Sequence, residues 1–354
     1  MQEEVERQED TSQMHFKSLK IKTVLTLAVL VFSVAFNVNA DSSVTEIEQS
    51  AINVLNGAYV PCINSADQAK YFKANYIKHM KKEVDTITIG SSHMLSVSSE
   101  DVGESSYANL AVGGANLQDK LSILGLLKYY DVKYKRVIFE IDFTTFTHHA
   151  FQVKDDNKMI ALYGYDFSNI INKVSDSMPK YDYDFNENYE NLYRDVQPVD
   201  ITIKYTKEKL PDNIYYYRPD ASMGFPNYIH YFEEDFINNT REILTKVDEE
   251  YRDKHANEIS KALIENLIKY FYENDIKVNL VITPRSNYEY DVIKVDESPL
   301  IKEITDFTKE LADKYGCKVS GSFNPYELGI REEDFQDGFH LFPEVVSRLF
   351  DFKR

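Results

Sequence analysis

Tryptophan is absent from this chain and cysteine nearly so, with only Cys62 and Cys317 among 354 residues. Two cysteines supply neither a disulfide scaffold nor, by themselves, a four-ligand zinc site. They either pair with each other outside the cell or stay as buried thiols. Glycine and proline are sparse, at 12 and 10, which excludes a collagen-like or linker-dominated chain. Positive charge is also short: Lys+Arg 40 stand against Asp+Glu 58, for a net charge of -18. A surface that negative repels phosphate backbones and argues against a nucleic-acid partner. Hydrophobic residues are not lacking. At 43% they are too many for a disordered chain, and the length suits one large domain or two medium ones. Tyr 26 and Phe 21 supply the aromatic content, and no function attaches to the missing tryptophan.

There is one long apolar run, Val24 to Phe36 (VLTLAVLVFSVAF), preceded by Lys17, Lys20 and Lys22 and followed by Val38-Asn39-Ala40. A basic region, a short apolar core and a small residue before a cut describe a secretory signal peptide over residues 1–40. A start at Met14 gives the more ordinary signal. A spanning helix needs ~20 apolar residues, so a retained signal anchor is the alternative. In either case the lysines hold the N-terminal side in the cytoplasm and send residues 41–354 outside.

Downstream, short apolar runs alternate with helical patterns. Asp85 to Gly90 (DTITIG), Asn109 to Gly114 (NLAVGG), Lys135 to Asp142 (KRVIFEID), Lys277 to Thr283 (KVNLVIT) and Cys317 to Ser320 read as strands. Leu117, Leu121, Leu124 and Leu127 recur at helical spacing, as do Ile259, Leu263, Leu267 and Phe271 in the stretch Ala256 to Asn274. Leu300 to Tyr315 is a further helix, and Pro343 is placed to open a last one. Such alternation predicts an α/β fold, a parallel sheet with helices on both faces. Ligands then bind beyond the carboxyl ends of the strands. Between about 147 and 254 the alternation fails in a stretch rich in Tyr, Asp and Asn, read as an ordered insertion or cap. Its tyrosines either line a sugar-polymer groove or form local core.

Chemistry-bearing residues stand where strands end. Ser92 follows a strand and Gly90, at a strand-to-helix turn that can present a hydroxyl with backbone N–H groups beside it. The bland reading is a helix cap. His93, next to it, reads as a helix-start residue. Near the other terminus, Asp337-Gly338-Phe339-His340 places a carboxylate three residues before an imidazole, where it can orient the ring and leave the far nitrogen as a base. His148-His149 suggest metal only superficially, because adjacent residues point apart and no carboxylate or cysteine cluster accompanies them.

Gly90-Ser91-Ser92, the stretch Asn109 to Gly114, and Asp337-x-x-His340 together resemble the SGNH (GDSL-like) hydrolases in order and in position after successive strands. The resemblance covers Asp85 to Thr145 and roughly Ala256 to the C-terminus. It implies a three-layer, flavodoxin-like sheet, Ser92 as nucleophile, and Asp337 and His340 as its partners. Ser92, Gly114 and Thr144 would form the oxyanion hole, Gly114 also being a glycine of backbone geometry. Two departures stand out. Ser91 occupies the position where the commonest motif has Asp, and Phe143-Thr144-Thr145 stands where the family has an Asn donor. These departures and the export segment look like the envelope branch that includes the D-alanyl transfer protein of teichoic acid modification and polymer O-acylation proteins. The implied function is an exported acyl esterase or acyltransferase, secreted or membrane-anchored. Its substrate would be an acylated envelope polymer or a small acyl ester, with a membrane-bound acyltransferase as a further partner. This chemistry requires no nucleotide, flavin or metal. The alternative is a non-catalytic envelope or glycan-binding protein that keeps the fold.

Overall fold

The computed structural model describes residues 46–62, 66–147, 158–172, 203–211, 214–224, 254–292 and 294–351, with a few isolated positions between them. The export segment, His148-His149 and the tyrosines at 181–193 lie outside the described residues. Among the described residues, no helix is long and apolar enough to cross a membrane.

In chain order the strands are β1 (Val60–Pro61), β2 (Glu83–Ile89), β3 (Tyr107–Asn109), β4 (Lys133–Ile141), β5 (Tyr216–Tyr217), β6 (Met223–Gly224), β7 (Lys277–Ile282) and β8 (Lys318–Gly321). Five of them form one parallel sheet in the order β3-β2-β4-β7-β8. Counting only those five, the order is 2-1-3-4-5, the doubly wound flavodoxin-like arrangement. The architecture is therefore α/β, with the parallel sheet flanked by helices. The chain reverses direction across the sheet between β2 and β4, so the crevice above their carboxyl ends is where a ligand is expected. Ser91 and Ser92 follow β2, and Asp142 follows β4.

Among the described residues, five helices of thirteen or more residues accompany the strands: α1 (Ala66–His79), α2 (Leu117–Tyr129), α3 (Lys158–Ile171), α4 (Glu258–Glu273) and α5 (Pro299–Tyr315). Asn116 caps α2 by accepting the Asp119 N–H at 3.1 Å, and the Asp119 carboxylate returns the favour to the Asn116 N–H. Helix α2 is buried nearly all round, Leu121, Ile123, Leu124 and Leu126 included, because it lies between other elements rather than over one core face. Each fully buried leucine contributes roughly 1.5–3 kcal/mol. Helix α3 packs on it, with Gln118 Nε2 donating to the Ala161 carbonyl at 3.2 Å. That helix falls inside the stretch read as an insertion, so this part of it belongs to the main core. Ile160, Ala161, Phe167 and Ile171 of α3 are buried.

The same stretch supplies β5 and β6, which join β1 in a small antiparallel sheet in the order β1-β5-β6. There Tyr217 is buried and stacks on Phe72 of α1, ring centroids 3.9 Å apart and planes 6° from parallel. This tyrosine is local core, not a groove wall. Cys62 and Cys317 are both free thiols.

Candidate active site

The turn after β2 is shaped by two contacts. At Gly90 a Cβ would lie 2.7 Å from Met94 Cγ, so only glycine lets the short helical turn Ser92–Met94 fold back onto the strand end. Met94 is then fully buried, in the same apolar cluster as Ile138, Val281, Phe335, Leu341 and Val346. From the other side, the buried Asn109 amide donates to the carbonyls of Met94 at 2.7 Å and Val97 at 2.8 Å. Ser92 opens the turn, where an N–H has no partner within the helix.

The last block is a tight loop closed by a bridge between Phe335 and Leu341, with the Gln336 N–H on the His340 carbonyl at 2.8 Å. Its flanking side chains share the cluster that holds Met94, which seats the loop over the Ser92 turn. Asp337 Oδ1 accepts the backbone N–H groups of Phe339 at 3.0 Å and His340 at 2.6 Å, while Oδ2 lies 2.7 Å from His340 Nδ1. His340 Nε2 lies 2.8 Å from Ser92 Oγ. The structure thus brings Ser92, His340 and Asp337 into one chain of hydrogen bonds. Burial pushes the Asp337 carboxyl up, but the hydrogen bond and charge of His340 and the two N–H groups outweigh it and hold it below the ordinary aspartate value. An ionised Asp337 favours the Nδ1–H tautomer of His340 and leaves Nε2 to take the Ser92 proton.

Gly114 sits beyond β3 with φ +63°, a left-handed conformation that side chains disfavour. The Val112 N–H bonds the Gly90 carbonyl at 2.9 Å, which brings this loop alongside the Ser92 turn. Among the described residues, the N–H groups of Ser92 and Gly114 donate no hydrogen bond. The Thr144 hydroxyl donates to Asp142 Oδ1, so its single hydrogen is directed at a carboxylate in this structure.

Sequence reasoning missed what lies beneath the turn. Glu140, on β4, is fully buried; its carboxylate accepts the Ser91 N–H and, at 2.9 Å, the Ser91 hydroxyl. His93 Nδ1 stands 3.1 Å from Ser91 Oγ and 3.5 Å from Glu140 Oε1. Its ring packs edge-on against Phe339 and lies 5.2 Å from the His340 ring. His93 is therefore part of the site's wall rather than only the start of a turn. Lys120 of α2, also fully buried, contacts Glu140 Oε2 at 3.3 Å, Asp142, and the Thr145 hydroxyl at 3.0 Å. Burial raises the Glu140 carboxyl, yet Lys120, His93 and the Ser91 N–H together leave it well below the ordinary glutamate value. Two signals were present in the sequence: an acidic residue within the apolar run RVIFEID, and Lys120 between Leu117 and Leu121 on a leucine face.

Comparison with protein-family models and with curated proteins returns no match. Among the described residues, no group of three His, Cys, Asp or Glu side chains is arranged to hold a metal ion.

Proposed function

We propose that this chain is a serine esterase or acyltransferase working through Ser92, His340 and Asp337. The observation that carries the reading is the continuous relay from Ser92 Oγ through both ring nitrogens of His340 to Asp337, at 2.8 and 2.7 Å. These distances fall within the reach that a nucleophile and its base require. Position supports it too: the relay stands above the carboxyl ends of β2 and β4, at the topological switch point.

In the first step His340 Nε2 takes the Ser92 hydroxyl proton while Oγ attacks an ester or thioester carbonyl, and Asp337 stabilises the imidazolium. The N–H groups of Ser92 and Gly114, free of other described partners, receive the oxyanion. The leaving group departs with the proton from His340, and an acyl-Ser92 remains. Water or a hydroxyl of an acceptor then reverses these steps. The order of the three sequence blocks and the apolar segment near the N-terminus favour an SGNH-like enzyme acting outside the cytoplasm, on an acylated envelope polymer or a small acyl ester.

The test is incubation with an activated fluorophosphonate, followed by mass spectrometry of the labelled peptide. Phosphonylation is expected at Ser92 and should vanish in Ser92→Ala without a change in unfolding temperature. Wild-type esterase activity in that variant would refute the assignment.

A further inference from the structure

We infer that Glu140 is a positioning residue for Ser92, holding the nucleophile turn through Ser91 and the adjoining wall through His93. The inference rests on the reading of Ser92 as nucleophile.

The first ground is a charge count. Lys120 is buried with two carboxylates, Glu140 and Asp142, where one would neutralise it. Asp142 already contacts the ammonium directly, and the Thr145 hydroxyl and Glu140 backbone carbonyl at 3.2 Å complete its shell. The Glu140 side chain is thus surplus to the needs of Lys120. A surplus buried carboxylate is costly unless its oxygens are hydrogen-bonded. Here its other partners are the Ser91 N–H, the Ser91 hydroxyl at 2.9 Å, His93 Nδ1 at 3.5 Å and the Thr283 hydroxyl, also at 3.5 Å. All but the long Thr283 contact belong to the residues on either side of Ser92.

The second ground is direction. Ser91 has one hydroxyl hydrogen, and at 2.9 Å from Glu140 Oε1 that hydrogen is drawn to the carboxylate. Ser91 Oγ is then left to accept from His93 Nδ1 at 3.1 Å. The carboxylate therefore fixes the N–H of one neighbour of Ser92 and, through Ser91, the ring of the other. That ring contacts Phe339, the residue before the base His340. Nucleophile and base are held from the same buried group. The pairing also gives a physical account of Ser91: it is a donor to a carboxylate that arrives across the sheet, so a second carboxylate at position 91 would face Glu140 at hydrogen-bond distance.

The experiment compares wild type, Glu140→Gln, Ser91→Asp, the double variant Ser91→Asp/Glu140→Gln, and Ser91→Ala. The readouts are fluorophosphonate labelling at Ser92, steady-state hydrolysis of an activated ester, and unfolding temperature. Glu140→Gln keeps Asp142 opposite Lys120 and is expected to fold. Misorienting Oγ should cost on the order of 10- to 100-fold in kcat, with KM within about twofold, because ground-state binding does not depend on that angle. Ser91→Asp should lose a similar factor by repulsion, and the double variant should recover most of it, since one carboxylate again meets one neutral partner. Ser91→Ala, which removes only the hydroxyl link and keeps the N–H, should lose severalfold in kcat and needs no change of charge. A labelled wild type with Glu140→Gln and Ser91→Ala at wild-type kcat overturns this inference alone. So does a double variant no better than its two parents. An unlabelled wild-type Ser92 overturns the nucleophile reading and this inference with it.

Discussion

Lys120 and Lys73 are the same residue in the same degree of burial, both essentially inaccessible to solvent, and their pKa values move in opposite directions. Lys120 faces the carboxylates of Asp142 and Glu140. Lys73, on α1, faces two backbone carbonyls, Asn109 at 2.7 Å and Ala221 at 2.5 Å, and the ring of Tyr217 at 5.5 Å. Burial lowers the pKa of both. At Lys120 the two carboxylates reverse that, and its pKa is raised above the ordinary lysine value. At Lys73 nothing of comparable strength opposes burial, and its pKa is lowered to about 7. Dipoles satisfy the hydrogens of an ammonium but do not repay its lost hydration as a full negative charge does. The kind of partner, more than burial, sets the charge. The site is built on the first arrangement, which fixes charge beneath Ser92. The second ties the β3 end to the loop before β6 and is poised to change protonation near neutral pH.

The sharpest way to break the contrast is Lys120→Met. It fills similar volume but leaves Glu140 and Asp142 buried side by side without a cation. Removing one partner from a buried ionic group costs about 3–5 kcal/mol, and a loss of that size in urea unfolding is expected. A loss below about 1 kcal/mol would mean that Ser91, His93 and the threonines suffice for both carboxylates, and the distinction between the two lysines would collapse.

That network also marks how far the sequence alone can be followed. The strand runs DTITIG and RVIFEID are local patterns, and Asp337 meets His340 within one loop, three residues apart. Both could be read from neighbouring letters. Ser91 and Glu140 stand 49 positions apart, and they meet only because β2 and β4 pair in parallel with Ile89 opposite Phe139. No period in the sequence encodes that register, although a glutamate inside an apolar strand announces that some partner exists. Lys73 and Ala221 are separated by 148 positions, across the stretch where the strand–helix alternation fails. Thr144 shows a related limit: its position in sequence suits an oxyanion donor, while the structure has its hydroxyl donating to Asp142, a contact the sequence does not announce.

A smaller effect is expected at Lys73. Lys73→Met leaves the Asn109 and Ala221 carbonyls without their ammonium partner but also removes a poorly compensated cation, so the net loss should be about 1–3 kcal/mol. The decisive reading is its pH dependence. The folded-state pKa of about 7 lies below the ordinary lysine value of 10.5, so between those values the unfolded chain binds the extra proton and stability rises with pH. Buried Cys62 and Tyr76 have raised pKa values and act in the opposite sense at higher pH, so the window to examine is about pH 7 to 9. There the stability of wild type relative to Lys73→Met should climb by about 1 kcal/mol per pH unit. A flat difference would show that Lys73 stays charged in the folded protein, as Lys120 does.

The smallest effect is expected from Thr144→Val. Asp142 accepts from Lys120, from the Thr144 hydroxyl, and from the Thr145 hydroxyl and N–H at 3.0 and 3.1 Å. Losing one donor of several at a carboxylate that keeps its cation should cost about 1 kcal/mol, read as a modest fall in unfolding temperature. Turnover of an activated ester should stay within about twofold, because the hydroxyl serves the buried network rather than the reacting carbonyl. The contrary result would be informative. Removing an oxyanion-hole donor costs on the order of 10²–10³ in kcat. A loss of that size at unchanged stability would mean that Thr144 swings from Asp142 to the substrate during the reaction. The oxyanion hole would then draw on the charged network beneath Ser92 as well as on the two backbone N–H groups above it.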